Sequence, residues 1–287
     1  MSNSKTKKNS KDKTPPPKPQ TKTLPKVIVI VVGVVLIVTV LYFGGYIPHF
    51  HSGNTNQPNF VAPTTITWGS FTEISNQNFA GSGQENIYFV SWIGCPIGAS
   101  LSWSLNYTFS HYQGVTNVRT EGHYSDPHEN GSAANLPGLL FMDSFSYNQN
   151  GIKISFYPVY MYNETLFGYA NNNTVIPSSN LVSAGLSVVN SSVPSGISSL
   201  VYKYTNLVNV SISPYHPSAF LSTPHHMNTV LVITGDFGTY MLNGPIFSPT
   251  SLSGVSYQTL ENAQGNGFSG YSYIASAASE INGIISK

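Results

Sequence analysis

The chain has 287 residues, a formal net charge of +1, 40% hydrophobic residues and only 8% charged ones. The near-neutral total hides a segregation: residues 1–26 carry eight lysines against Asp12, whereas residues 44–287 carry four basic side chains against ten acidic ones. A region so poor in Lys and Arg offers no basic patch, which argues against nucleic acid as a partner.

The first 26 residues combine those lysines with Pro15, Pro16, Pro17, Pro19 and Pro25, a composition that stays extended rather than folding. Val27 to Phe43 then runs without charge, and Gly44 to Ile47 extends the apolar segment. A helix over 27–47 is roughly 31 Å long, the hydrocarbon thickness of a bilayer. In lipid, the need to satisfy every backbone N–H and C=O overrides the low helix preference of its β-branched residues. A cleaved signal peptide has a shorter apolar region and a small-residue cleavage site, and no Ala-x-Ala follows here. The lysines lie on the N-terminal side only, which predicts a cytoplasmic tail (1–26), a single transmembrane helix (27–47) and an extracytoplasmic C-terminal part.

Residues 48–84, rich in Asn, Thr, Gly and Pro, read as a polar stalk with at most a short strand near Thr64–Trp68. A domain over 85–287 follows, long enough for one substantial core. Asn86 to Ile93 is an apolar, aromatic run of the kind found in buried strands. Gly94 and Cys95 follow, and Pro96 suits the first position of a helix. Ile97, Leu101, Leu105, Phe109 and Tyr112 then recur at helical spacing until Gly114. Cys95 is thereby placed at a helix N-terminus.

Gly138–Asp143 and Ile152–Tyr162 read as two strands around the turn-forming Asn148-Gln149-Asn150-Gly151. Residues 163–194, dominated by Asn, Ser and Val, read as loops and an irregular β insertion, and Gly196–Tyr204 as a short helix. Thr229–Thr234 is an apolar strand that Gly235-Asp236 turns into Thr239–Leu242. Helices near Ser256–Ala263 and over Gly270–Ser286 close the chain. This order describes an α/β sandwich.

Several residue sets bear on chemistry. Asn106, Asn130, Asn163, Asn172, Asn190 and Asn209 stand in Asn-x-Ser/Thr sequons, all in the external part, as in a glycosylated surface protein. His225, His226 and Met227, with His216 nearby, form a local set of metal-ligand types. Adjacent histidines on a strand point to opposite faces, so no metal is assigned to His225 and His226. His111, His123 and His128 lie near Glu121, Asp126 and Glu129 and read as polar loop surface. No Gly-x-Ser-x-Gly elbow, Walker-type loop or dinucleotide fingerprint occurs, so no hydrolase site and no cofactor is implied.

Cys95-Pro96-Ile97-Gly98-Ala99 after a hydrophobic strand, with Trp103 in the helix, resembles an archaeal thioredoxin-like family catalogued as domain of unknown function 929. Its members carry Cys-Pro-x-Cys-Ala followed by Arg-Trp, and Cys95, Pro96, Ala99 and Trp103 match that pattern. The resemblance extends more loosely through Leu136–Val159 and from Val230 onward. It implies a thioredoxin-like sandwich with a β-rich insertion, and a groove near Cys95 flanked by Trp92, Pro96 and Trp103. Two positions depart from the pattern: Gly98 replaces the second cysteine and Ser102 the arginine. Where the family has Pro-Phe, this chain has Val230-Leu231-Val232, so the proline that faces the redox pair in such folds is expected to be missing.

Cys95 is the only cysteine in the chain, so no intramolecular disulfide forms. Dithiol exchange needs a second thiol to resolve the mixed disulfide, which Gly98 cannot supply. The cysteine is then an inert core residue, a monothiol nucleophile or one half of an intermolecular disulfide. The expected function is a membrane-anchored, redox-inactive binding or structural module that meets an external protein or peptide. A monothiol oxidoreductase using Cys95 and a structural surface glycoprotein are the alternatives.

Overall fold

The computed structural model describes residues 60–129 and 131–287; the expected tail, the anchor, residues 48–59 of the stalk and Asn130 lie outside them. No helix among the described residues is long and apolar enough to cross a membrane.

A short strand β1 (Thr65–Ile66) leads into β2 (Phe71–Ser75) and β3 (Gln84–Ser91), and then α1 (Pro96–Tyr107). The chain continues through β4 (Thr120–Tyr124), β5 (Pro137–Phe141), β6 (Phe145–Gln149) and β7 (Ile152–Tyr160). Two helices follow, α2 (Leu181–Ser192) and α3 (Ser195–Tyr202), then the small strands β8 (Asn209–Val210) and β9 (Ser213–Pro217). The hairpin β10 (Val230–Gly235) and β11 (Gly238–Asn243) precedes α4 (Tyr257–Gln264) and α5 (Ser272–Ile285).

Six strands form the main sheet in the order β2-β11-β10-β3-β7-β6. β3 runs parallel to β7 and antiparallel to β10, and the other neighbours are antiparallel. The parallel β3–β7 pair requires a crossover, and α1 provides the helix within it. The hydrophobic run of β3 is explained by burial on both faces: successive side chains alternate between two cores. Tyr88 and Val90 join Val159, Val232 and Met241 against α2 and α3, through Leu181, Val189, Ile197 and Val201. Ile87 and Phe89 join Phe156, Leu231 and Ile233 against α1 and α5, through Leu101, Leu105, Ile281 and Ile285. The sheet is thus sandwiched between two helical layers.

Around Phe156 the second core is aromatic, with Phe109, Phe141 and Phe145 at ring-centroid distances of 4.9, 4.8 and 5.2 Å. A third cluster gathers the other side of α1 (Trp103, Tyr107) with Leu260 of α4 and Ile274 and Ala278 of α5. So α1 is buried on most of its circumference, consistent with its near absence of charge. Pro96 starts it, a π-helical turn (Thr108–Tyr112) extends it, and Gly114 at φ +66° ends it. The N-terminus of α4 is capped by Ser256, whose hydroxyl accepts from the Thr259 amide at 3.1 Å.

Four expectations need correction. The segment 60–84 is not all stalk: β1 pairs with β8, and β2 forms one edge of the main sheet. Residues 163–194 are not only irregular, because Leu181, Ala184, Gly185 and Val189 of α2 lie on one buried helical face. Tertiary burial there outweighs a Ser/Val composition of weak helix preference. The turn at Asn150-Gly151 joins β7 to β6, whereas Pro137–Phe141 pairs instead with β4 in a separate two-stranded ribbon. Finally, α3 ends at Tyr202 and passes into a π-helical turn over Lys203–Leu207.

Candidate functional site

Cys95 sits at the C-terminal end of β3, in the turn that enters α1, with extended backbone at the N-cap position (φ −68°, ψ 121°). Two loops grip this turn. From one side the Ile93 amide donates to Tyr162 O (3.0 Å), and Gly94 lies so close to Glu164 O that a Cβ at 94 would collide with it. From the other side the Asp126 amide donates to Gly94 O (2.9 Å), and His123 Nε2 donates to Ile93 O (2.8 Å). The end of β4 with the loop after it, and the loop after β7, therefore cover the turn, and Cys95 is only 2% exposed.

Beneath that cover a chain of hydroxyls reaches the sulfur. Thr229, immediately before β10, donates its hydroxyl to Cys95 Sγ at 3.0 Å. With that proton committed, Ser91 Oγ donates to Thr229 Oγ1 at 2.8 Å. Thr229 immediately precedes Val230-Leu231-Val232, the stretch expected to stand where the resembled family has Pro-Phe. Burial pushes the Cys95 thiol up, and the negative charge of Glu129 adds to it. The Thr229 hydroxyl and the backbone N–H groups of Gly98 and Ile97 pull the other way without reversing the shift. A thiol held above its ordinary range stays protonated at neutral pH and is a poor nucleophile.

Gly98, three residues after Cys95, is buried against β3. A Cβ built there would land on Ser91 Oγ, with Ser91 Cβ and Cys95 Cβ both within 3.4 Å. The volume that a second side chain needs is filled by the serine that ends the hydroxyl chain.

The remaining predicted residues divide sharply. Trp92 is 2% exposed; it packs edge-on against His226 (centroids 5.9 Å), and its Nε1 is buried with no partner. Trp103 is buried, with Nε1 donating to Pro137 O at 3.0 Å, and Pro96 is half-buried. An open groove flanked by Trp92 and Trp103 beside the thiol is therefore corrected: both indoles are buried, and they belong to different core clusters. One edge of Trp103 does line an open hollow of about 510 Å³ with Tyr107, His111, Tyr257, Glu261 and Gln264. His226 is buried and held by Ser222 and Pro224, while His225 is exposed, so the two rings diverge. No group of three or more His, Cys, Asp or Glu among the described residues is arranged to hold a metal ion.

Of the sequons, Asn172 and Asn190 are exposed. The Asn106, Asn163 and Asn209 amides instead donate to Gln264, Asn173 and Pro214 O respectively.

Sequence reasoning missed Glu85. It begins the core-facing series Glu85, Ile87, Phe89 of β3, yet it is 4% exposed and its Oε2 has no hydrogen-bond partner. Burial, and secondarily the charge of Asp236, push its carboxyl up to about 7. The period-2 pattern of β3, carried one step before Asn86, is the signal that locates it.

The sequence profile of the family described as domain of unknown function (DUF929) matches residues 70–287. The chain belongs to that family. The match begins at β2 rather than at residue 85, in agreement with the place of β2 in the main sheet. No curated protein and no solved structure matches the chain.

Two outcomes follow. Gly98→Ala should destabilise the fold by about 1–3 kcal/mol in urea unfolding, because Ser91 must leave Thr229 or the helix must shift. In a Ser91→Gly background the same change should cost less, and equal costs would show that Ser91 does not fill this space. For Glu85, the folded value near 7 lies above the ordinary 4.5. Its contribution is therefore fully present below pH 4.5 and lost as pH rises to and beyond 7. Wild type should lose about 2–3 kcal/mol more than Glu85→Gln between pH 4.5 and 8. Parallel pH profiles would contradict this.

Proposed function

We propose that this chain is a single-pass membrane protein, anchored by residues 27–47. Its C-terminal domain is thioredoxin-like, lies outside the cytoplasm and serves as a redox-inactive binding or structural module. The thioredoxin-like reading is supported by the arrangement within the main sheet. A parallel β3–α1–β7 unit, then the antiparallel β10–β11 hairpin and the closing α5 give the spatial order β7-β3-β10-β11. The helices divide between the two faces, α1 and α5 on one and α2 and α3 on the other. The anchor reading rests on the apolar segment and the one-sided lysines.

The observation that carries the redox-inactive reading is the closed environment of Cys95. The thiol is buried, hydrogen-bonded to Thr229, raised in pKa, and faces Gly98 where a resolving thiol would stand. Turnover requires a nucleophilic thiolate that a substrate disulfide can reach, and then a second thiol. The hollow beside Trp103, walled by Tyr107 and Tyr257 with Glu261 and Gln264 beside them, is an open concave surface that a partner could meet. For the monothiol alternative, one observation speaks: the Ile97 and Gly98 N–H groups favour a thiolate at Sγ. Exposed Asn172 and Asn190 favour a glycosylated surface.

The test is insulin reduction by the full-length chain in detergent, wild type against Cys95→Ser. Both proteins should show only background turnover. Robust turnover in the wild type that disappears in the variant would overturn the redox-inactive reading.

A further inference from the structure

At the end of β3 opposite to Cys95, a pocket of about 280 Å³ is lined by Gln84, Glu85, Ile152, Asp236, Phe237 and Lys287. It is built rather than incidental. Gly235, at the β10–β11 turn, leaves the room that the Glu85 side chain and the Phe237 ring occupy: a Cβ at 235 would come within 2.9 Å of Glu85 Cγ and 2.7 Å of the ring. Asp236 is fixed at the rim, accepting from Asn78 Nδ2 (2.7 Å) and from the Gly83 amide (3.0 Å). Glu85, which lines the pocket, has a buried Oε2 with no partner, and the buried hydroxyl of Tyr147, close enough to feel the Glu85 charge, has none either. Burial, and secondarily the Glu85 charge, raise the Tyr147 phenol, yet no hydrogen bond joins the two groups.

Buried polar atoms are almost always satisfied, and two neighbouring orphans beside a cavity mark a place where a donor belongs. What that donor must be follows from charge. Asp236 and, once ionised, Glu85 give the pocket negative charge, and Tyr147, like a carboxylate, can accept. Aromatic rings border the same region, and one of them already carries an ammonium: Lys287 Nζ stands 3.9 Å from the Tyr240 ring centroid. An ammonium group combines several N–H donors with a positive charge that carboxylates and ring faces both attract.

We propose that this pocket binds a primary alkylammonium group, held by the Glu85 carboxylate and the Tyr147 oxygen, with Asp236 as the second negative charge. The ammonium comes either from a free amine or from the chain's own Lys287, which lines the pocket and reaches it by leaving Tyr240. The ionisable groups around Glu85 are Asp236, Tyr147 and Lys287. Because Glu85 must give up its proton to receive the cation, binding releases a proton below pH 7 and tightens as pH rises. This site is independent of the chemistry at Cys95.

The test is titration of the full-length chain with methylammonium chloride, followed by calorimetry in two buffers of different ionisation enthalpy, with potassium chloride as the ionic-strength control. Wild type should bind methylammonium at least about tenfold more tightly at pH 8 than at pH 5, in keeping with one proton released over a two-unit span. Glu85→Gln should abolish this binding. If Lys287 is the resident ammonium, Lys287→Gln should bind methylammonium several-fold more tightly than wild type. If a free amine is the occupant, that variant should match wild type. Failure of wild type and Lys287→Gln alike to bind at pH 8 would overturn the proposal. So would equal affinity in wild type and Glu85→Gln, or an equal response to potassium.

Discussion

The central strand β3 is buried on both faces and paired along its length, with β7 on one side and β10 on the other. A strand so enclosed leaves freedom only at its two ends, and both unusual sites of the domain lie there. Glu85 enters the core where β3 begins, and Ser91 ends the strand where the chain turns into Cys95 and α1. The two flanking strands supply each site's second half: Thr229 precedes β10, and Asp236 follows it. Pairing β10 against β3 therefore assembles both sites at once, which is why neither is visible in any single stretch of sequence.

At the Cys95 end, the physical chemistry favours containment over reactivity. A helix N-terminus lowers a thiol pKa when the sulfur is accessible, because the backbone N–H groups and the dipole stabilise the thiolate. Here those groups are present, yet desolvation wins. The Thr229 hydroxyl and the two amides solvate the sulfur only in part, and the loops after β4 and β7 exclude water. Ser91 then occupies the space beside Gly98, so a side chain at position 98 would find no void to fill. A buried Ser–Thr–Cys chain of this kind is a structural element: it satisfies three polar groups where the central strand, α1 and β10 meet.

Much of this architecture was legible in the sequence, and the failures have physical causes. β3, α1, the β10–β11 hairpin, α4 and α5 announced themselves through apolar periodicity bounded by Pro96, Gly114 and Gly235-Asp236. The polar strand β4 did not, since Thr120–Tyr124 is largely exposed and pairs only with β5. β6 escaped because the residues before the Asn150-Gly151 turn carry two candidate strands, and hydrophobicity favoured the wrong one. The apolar stripe of α2 is narrow and broken by serines, so only its packing against β7 reveals it. At the candidate site, the placement of Cys95 at the start of α1 was legible; its burial was not, because the covering segments come from residues 123–129 and 162–166. Glu85 was overlooked for a different reason: an acid beside an apolar run reads as a strand's exposed end unless the period-2 pattern of β3 is carried back to it.

The account rests on Cys95 being enclosed, and native-state alkylation measures this most directly. Iodoacetamide should be added to the full-length chain at pH 8, with a urea-unfolded sample as reference. The enclosed thiol predicts labelling at least about 1000-fold slower than in the unfolded chain, tracking the opening of the fold as denaturant is added. Labelling of the native protein within about tenfold of the unfolded rate would mean an accessible thiolate, and would contradict the account.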